Sequence, residues 1–446
     1  MRFISTRSDS VNSAQTLTSK IGFAEALAHG LASDGGLYVP DHFPHLDWHQ
    51  APDTTDLPAF AAFVLQPFFS GPELSADDAK LARELDAICR SALNFPIPLR
   101  SLREGTSVLE LFHGPTAAFK DVGARFLAEC VSRLAPANTR NTVIVATSGD
   151  TGGAVAGAFH GRPGFEVMIL YPKGKISARQ EKQLTCWGGN IQAFAVRGTF
   201  DDCQRIVKEA LSDREWRAKR NFISANSISV GRLLPQMVYY ARASVEHMRR
   251  TGRAPGFIVP TGNLGNAVAA LWAKRIGFPI AQVVLATNAN RPITEYFASG
   301  QWQPHPTVAT LANAMDVGNP SNIERLRHLY PDFKDLTRDV HTLSVTDEQI
   351  RDTIRRGPKE WGEIWCPHTA TAVVARERLQ QTSKNGGFAS DWILVATAHP
   401  AKFETIVEPL IGKLVEIPPA LAALLDREPV FTEIEAGLAS FKTHVN

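Results

Sequence analysis

The sequence predicts an α/β protein with a parallel β-sheet core, preceded by a mainly helical N-terminal segment. Three observations carry the prediction. Short apolar runs recur from Thr142 onward, each closes on glycine or polar turn residues, and each is followed by a stretch of helical period. Strands that alternate with helices pair in parallel and are covered by helices on both faces.

The chain has 446 residues, 44% of them apolar, enough for two or three packed domains. Its 47 basic and 45 acidic residues leave a formal charge of +2, which gives no basis for a nucleic-acid partner but leaves room for a local basic site. Cys89, Cys130, Cys186, Cys203 and Cys366 are odd in number and never spaced C-x-x-C. Neither a disulfide framework nor a metal site is expected, and reduced thiols in the cytoplasm are. The opening run MRFISTRSDSVNSAQ lacks the apolar stretch of a signal peptide. The apolar run LPAFAAFVLQPFF is broken by Pro58, Gln66 and Pro67 and falls short of the roughly 20 residues a membrane span needs. It reads as a buried helix, and no membrane partner is expected.

Up to about Pro96 the apolar period is helical, except for the turn Asp34-Gly35-Gly36 before LYVP and a polar loop from Asp41 to Asp56. Beyond Pro98 come the strand candidates TVIVAT (Thr142 to Thr147), FEVMILY, NIQAFAV, GFIVP, AQVVLAT and WILVATAHP. Open parallel sheets bind ligands at the C-terminal ends of their strands, which is where the glycine-rich loops of this chain fall.

Two such loops stand out, ATSGDTGGA (Ala146 to Ala154) and VPTGNLGNA (Val259 to Ala267). Each follows a strand and opens a helix, so each offers free N–H groups and a positive dipole end to an anion. Glycine permits close approach, and Thr261, Asn263 and Asn266 can add side-chain hydrogen bonds. Neither loop is a Walker A motif or a G-x-G-x-x-G dinucleotide fingerprint. In LFHGPTAAFKDVGARF, Lys120 follows an apolar Ala-Ala-Phe run and begins a helix with Asp121 in its first turn. Apolar surroundings at a positive helix end predict a depressed amine pKa, the condition for a Schiff-base-forming lysine.

Together these segments resemble the fold-type II pyridoxal-phosphate (PLP) enzymes, and within them the threonine synthase family, bacterial and fungal branch. The resemblance runs from about Phe3 to about Pro409. FAEALAHGLASDGGLYVP, HGPTAAFKD, ATSGDTGGAVA, YPKGKISARQEKQL, NSISVGRLLPQ, VPTGNLGN, TLANAMDVGNPSN and TAHPAKF each match a block of that family, in order.

The resemblance implies two open, mostly parallel sheet domains: a helical segment over 1–95, a large PLP domain from 96–117 and 250–446, and a small mobile domain over 118–249. It implies PLP held on Lys120 and cradled by Thr261, Gly262, Asn263, Leu264, Gly265 and Asn266. Thr397 would face the pyridine nitrogen, unless it caps the following helix. The implied substrate is O-phospho-L-homoserine. Ser148, Gly149, Asp150 and Thr151 would hold its α-carboxylate, and Asn226, Ser227 and Arg232 its phosphate, since a guanidinium can donate a pair of hydrogen bonds to phosphate. Lys173 and Lys175 either add charge to that site or form a solvated turn. Ser229 and Cys366 depart from the family's usual residues. His368 and His399 read either as acid–base groups or as structural ones. Other readings are another fold-type II lyase, either a phospho-lyase or a serine/threonine dehydratase, and an idle metabolite-binding scaffold. A monomer or homodimer is expected.

Overall fold

The computed structural model describes residues 1–8, 20–103, 105–135, 139–382 and 388–445. The opening run scanned for a signal peptide falls in part on 9–19, outside the described residues.

The strands are β1 (Phe3–Ser5), β2 (Tyr38–Pro40), β3 (Leu99–Arg103), β4 (Thr106–Glu110), β5 (Asn141–Ala146), β6 (Phe165–Pro172), β7 (Ile191–Arg197), β8 (Asn221–Ser224), β9 (Gly256–Pro260), β10 (Val283–Thr287), β11 (Val340–Ser344), β12 (Trp392–Ala396) and β13 (Thr432–Glu435). One sheet has the order β11-β10-β9-β12-β4-β3, parallel except for the β3/β4 hairpin. A second, β13-β7-β6-β5-β8, is parallel throughout. β1 and β2 form an antiparallel pair. All six strand runs read from the sequence are strands, each within a few residues of its expected bounds.

Strand alternation explains the layering. In β6, Val167, Ile169 and Tyr171 enter the main core while Met168 and Leu170 enter a separate cluster with Cys203 and Ile206 of the helix Phe200–Ser212. In the larger sheet Phe257, Val259, Leu285 and Val395 join the same main core, while Ile258, Val284 and Leu394 pack outward with Val373. The two sheets therefore share one core on their facing sides. The N-terminal segment completes it with Phe60, Val64, Leu65, Phe68 and Phe69 of the LPAFAAFVLQPFF run. That run is indeed a buried helix, Leu57–Leu65, with the Asp56 carboxylate accepting from the Ala59 N–H at its start.

Two expected boundaries need correction. Thr432–Glu435, expected in the large domain, pairs in parallel with β7 and so extends the five-stranded sheet. The helix Gln236–Thr251, expected in the small domain as far as residue 249, packs on the helices Gly265–Arg275 and Leu57–Leu65. Its apolar face, including Met237, Tyr240 and Ala241, serves the main core there.

Within the larger sheet Gly256 lies opposite Trp392, and a Cβ added at Gly256 would stand 2.5 Å from the indole ring. Gly256→Ala should therefore destabilise the protein by about 1–3 kcal/mol through overpacking. Urea unfolding checks this, and an unchanged midpoint would show that the ring can yield.

Candidate active site

Lys120 is the first residue of the helix Lys120–Leu134, as the sequence predicts. The segment before it is fixed at both ends. The Phe119 N–H donates to the Thr397 carbonyl at 2.8 Å, and the His399 N–H donates to the Ala117 carbonyl at 3.0 Å. Ala117 adopts φ 54°, a left-handed conformation that costs a residue with a Cβ about 1 kcal/mol or more. The Lys120 amine makes no hydrogen bond or ion pair among the described residues, and its pKa falls to about 8. Desolvation is the main cause; Arg232 and Lys402 add to it, and Asp150 opposes it.

The loop between β9 and the helix Gly265–Arg275 carries a second strained residue, Leu264, at φ 64°. The loop is braced from all sides. Asn263 donates to the Ser227 hydroxyl at 2.5 Å and accepts from the Ser321 N–H at 2.6 Å. Asn322 donates to the Asn263 carbonyl at 3.0 Å. The Asn266 carbonyl oxygen accepts from the hydroxyls of Tyr239 and Tyr240, which leaves its buried amide nitrogen unpartnered. The Thr261 hydroxyl is turned onto the Val259 carbonyl at 2.7 Å. A Cβ on Gly262 would meet Met315 Cα at 2.7 Å, and one on Gly265 would approach Asn322 at 3.4 Å and Ser227 at 3.6 Å.

NSISVGR lies beside this loop through the Ser227–Asn263 contact. Arg232 is buried on the helical turn Val230–Leu233, and its Nη1 donates to the Ala225 carbonyl. Its Nε has no partner, nor do the buried Asn226 Oδ1 and Ser229 Oγ. Arg232 makes no ion pair among the described residues, and desolvation lowers its pKa to about 10. A Cβ on Gly123 would lie 3.1 Å from the Arg232 Nε, so the guanidinium sits against the first turn after Lys120.

In the third loop Gly149 takes φ 131° with the Gln180 amide packed where a Cβ would go. The Asp150 carboxylate is 2.8 Å from the fully buried Lys402 ammonium and accepts from Gln180 at 3.1 Å. Burial alone would raise its pKa, but Lys402, Lys120 and His368 outweigh that and hold it well below the usual carboxylate range. Ser148 and Thr151 are half-buried beside it.

Several sequence-based alternatives are now separable. Thr397 does not cap the next helical turn; His399 does, its Nδ1 accepting from the Ala401 N–H at 3.2 Å. His399 is thus a capping residue with its pKa lowered to about 4 by burial first and His113 second. His368 accepts the Ala314 N–H on Nε2 at 3.1 Å, which makes Nδ1 the protonated nitrogen, and burial lowers its pKa to about 4. Lys173 is ion-paired with Glu433, and Lys175 is exposed. Arg179 and Ser177 of the same block instead reach the Ala401 and Lys402 carbonyls at 2.7 and 2.8 Å. The Cys366 thiol packs on Thr369.

Sequence reasoning missed Lys402 and Arg325. Lys402 carried a signal: its flanks, Ala401 and Phe403, are as apolar as those of Lys120. Arg325 carried none. It is fully buried and gives its hydrogen bonds to the carbonyls of Tyr38, Ser227 and Ile228 and to Asn322.

The site thus combines a desolvated nucleophilic amine, a glycine-bearing cradle with an unpartnered amide, and a cationic wall. These features fit PLP: the amine can take its aldehyde, and the cradle its phosphate. Comparison with known proteins agrees. Residues 98–397 match the family model of pyridoxal-phosphate-dependent enzymes, residues 2–90 that of the threonine synthase N terminus, and residues 369–445 that of the threonine synthase C-terminal region. Threonine synthase of Serratia marcescens is 40% identical over 90% of this chain and 91% of its own, and that of Escherichia coli 37% over 95% and 96%. The crystal structure of the Escherichia coli threonine synthase superposes with a TM-score of 0.87 over 100% of this chain and 99% of that one, at 36% identity. The PLP-bound threonine synthase of Brucella melitensis gives 0.85 over 100% and 98%, at 31%.

The fold and site define a PLP-dependent enzyme of fold-type II. Within that class, the chain belongs to the threonine synthase family. No helix among the described residues is long and apolar enough to cross a membrane.

Two outcomes test the geometry. Labelling of Lys120 in the cofactor-free protein by an amine-selective reagent should follow a titration midpoint near 8, because only the free amine reacts. A midpoint at the ordinary lysine value would show the amine to be solvated. Gly265→Asp should strip the protein of cofactor on dialysis, because a carboxylate would stand where a phosphate dianion belongs. Retained cofactor would place the phosphate elsewhere.

Proposed function

We propose that this chain converts O-phospho-L-homoserine and water into L-threonine and phosphate in the cytoplasm, acting through Lys120. The observation that carries this reading is the Arg232 corner. A buried guanidinium without a carboxylate partner stands with unpartnered Asn226 and Ser229 atoms, a few residues in space from the reactive amine. Such a corner is costly to keep empty of anions, and a phosphate ester satisfies it. A dehydratase acting on serine or threonine has no phosphate to place there.

Roles follow from position. Gly262, Asn263, Leu264, Gly265 and Asn266 hold the cofactor phosphate, with Thr261 supporting the loop's start. Thr397, whose carbonyl anchors Phe119, would offer its hydroxyl to the cofactor ring. When bound, PLP supplies an electron-withdrawing ring that makes the substrate's Cα–H and then Cβ–H acidic. Lys120, freed next to Cα, takes and returns the proton there; with its low pKa it can do both near neutral pH. Arg232, Asn226 and Ser227 hold the phosphate as its bond to Cγ breaks and charge builds on the leaving oxygen. Ser148, Gly149, Asp150 and Thr151 orient the α-carboxylate. The proton taken from Cβ then returns at Cγ, which moves the double bond to Cα and Cβ, and water adds at Cβ. The unit on the five-stranded sheet closes over the site and excludes competing water. The Ser177 and Arg179 contacts with the Ala401–Lys402 backbone are suited to that closure.

Arg232→Leu separates this reading from its rivals. The variant should keep its cofactor and visible absorbance. Its kcat/KM for O-phospho-L-homoserine should fall roughly 30- to 1,000-fold, the cost of one charge-assisted donor to a dianion in a dry site. Any slow deamination of serine should stay within a few-fold. Equal loss of both activities, or loss of neither, would remove Arg232 from the phosphate site and point to another substrate. Product identity is read in the same assay: threonine supports the proposal, and a keto acid with ammonia indicates a lyase.

A further inference from the structure

We propose that Lys402 is a positioning residue: its ammonium cancels the charge of Asp150, so that the Ser148–Thr151 loop can receive the substrate's α-carboxylate. The inference rests on the reading of that loop given above. The loop opens the helix Asp150–Phe159, whose positive end favours an anion, yet its first helical residue is itself a carboxylate. Two carboxylates about 5 Å apart in a partly dry site repel strongly enough to weaken binding by roughly 30- to 300-fold. An ionised Asp150 left alone would defeat the loop.

Lys402 removes the conflict. Its side chain has no solvent access, and its ammonium lies 2.8 Å from Asp150 Oδ1 and donates to the Thr116 carbonyl at 2.8 Å. It arrives from the other sheet's side of the cleft, on the helical turn Pro400–Phe403 that follows β12. Gln180 holds the carboxylate at 3.1 Å and is itself held by Asn313 at 3.2 Å, so the pair is fixed in orientation as well as charge. Lys120 cannot serve instead, because its amine is committed to the cofactor for part of each turnover. The positive end of the helix is then left free for the incoming anion.

The geometry also supplies variants that keep the packing. In Lys402→Met the Thr116 carbonyl still accepts from Gln183 at 3.0 Å, and in Asp150→Asn the side-chain oxygen can still accept from Gln180. The test measures ligand affinity of the holoenzyme through the absorbance of its bound cofactor, with two probes. One is the phosphonate isostere of the substrate, 2-amino-5-phosphonopentanoate; the other is 4-aminobutylphosphonate, the same molecule without its carboxylate.

Lys402→Met should weaken the first probe roughly 30- to 300-fold relative to the second. Asp150→Asn, which leaves the cation alone, should shift the preference the opposite way, toward the carboxylate-bearing probe, by about 5-fold or more. The double variant, neutral at both positions, should return the preference to within a few-fold of wild type. Equal weakening of both probes by Lys402→Met, or a double variant no better than that single one, would make Lys402 a structural tie and overturn the proposal. If Lys402→Met does not fold, an unchanged or reversed preference in Asp150→Asn overturns it alone. A wild-type protein that binds both probes equally would overturn the loop reading first, and this inference with it.

Discussion

Arg232 and Arg325 are buried with carbonyl and amide oxygens as partners rather than carboxylates, and the desolvated Lys120 amine makes no hydrogen bond or ion pair among the described residues. All three have depressed pKa values, to about 10, 9 and 8, with desolvation as the first cause in each. Burying a cation without a counter-charge costs several kcal/mol, which a protein tolerates where something else supplies the anion. Here the fold leaves positive charge in excess around one cleft. The exception is Lys402, whose counter-charge, Asp150, is internal. The cleft thus separates a cationic wall from a locally neutral corner.

That charge distribution requires rigid backbone, because a buried guanidinium keeps its orientation only if its acceptors do. The two left-handed non-glycine residues among the described residues, Ala117 and Leu264, show where rigidity is concentrated. Each sits at the mouth of a strand of the larger sheet, and each is held by long-range hydrogen bonds rather than by local preference. The His399 N–H fixes the Ala117 carbonyl, and Asn322 and Ser321 fix Asn263 beside Leu264. Strain of this kind persists only when its surroundings over-determine it. The parallel sheet supplies that support: β9, β12 and β4 are adjacent, so the loops that leave them are packed side by side.

The legible part of this protein was the part written in periodicity and in short contiguous motifs. The continuous apolar run in FEVMILY announces a strand buried on both faces, and both faces are buried. The three glycine-rich or lysine-bearing segments each lie at a strand end or helix start, where their motifs placed them. What could not be read was partnership across long sequence separations. Nothing local distinguishes Lys173, which pairs with Glu433 of its own sheet, from Arg179, which reaches the Ala401 carbonyl and Glu408 beyond β12. The short strand β13 was invisible for a similar reason: FTEIE is too polar and too brief to read as a strand, and the edge of β7 makes it one. Arg325 looks like any charged helix residue until the carbonyls of Tyr38 and Ile228 close around it.

Arg325 also explains why the N-terminal segment cannot be regarded as an accessory. Two of its guanidinium nitrogens, Nε and Nη2, donate to the Tyr38 carbonyl at 3.1 and 3.0 Å, and Tyr38 belongs to β2, more than two hundred residues away. Its remaining hydrogen bonds hold Ser227, Ile228 and Asn322, and Asn322 in turn holds the Asn263 carbonyl of the glycine loop. One guanidinium thus joins the N-terminal β-pair, the NSISVGR segment and the glycine-bearing loop after β9. A fork of five donors in a plane can satisfy acceptors from three directions at once, which a lysine cannot. With β2 removed, Arg325 would keep its charge but lose two of its hydrogen bonds, and the cradle would lose its outer support. The N-terminal segment is therefore tied through this contact to the loop that follows β9.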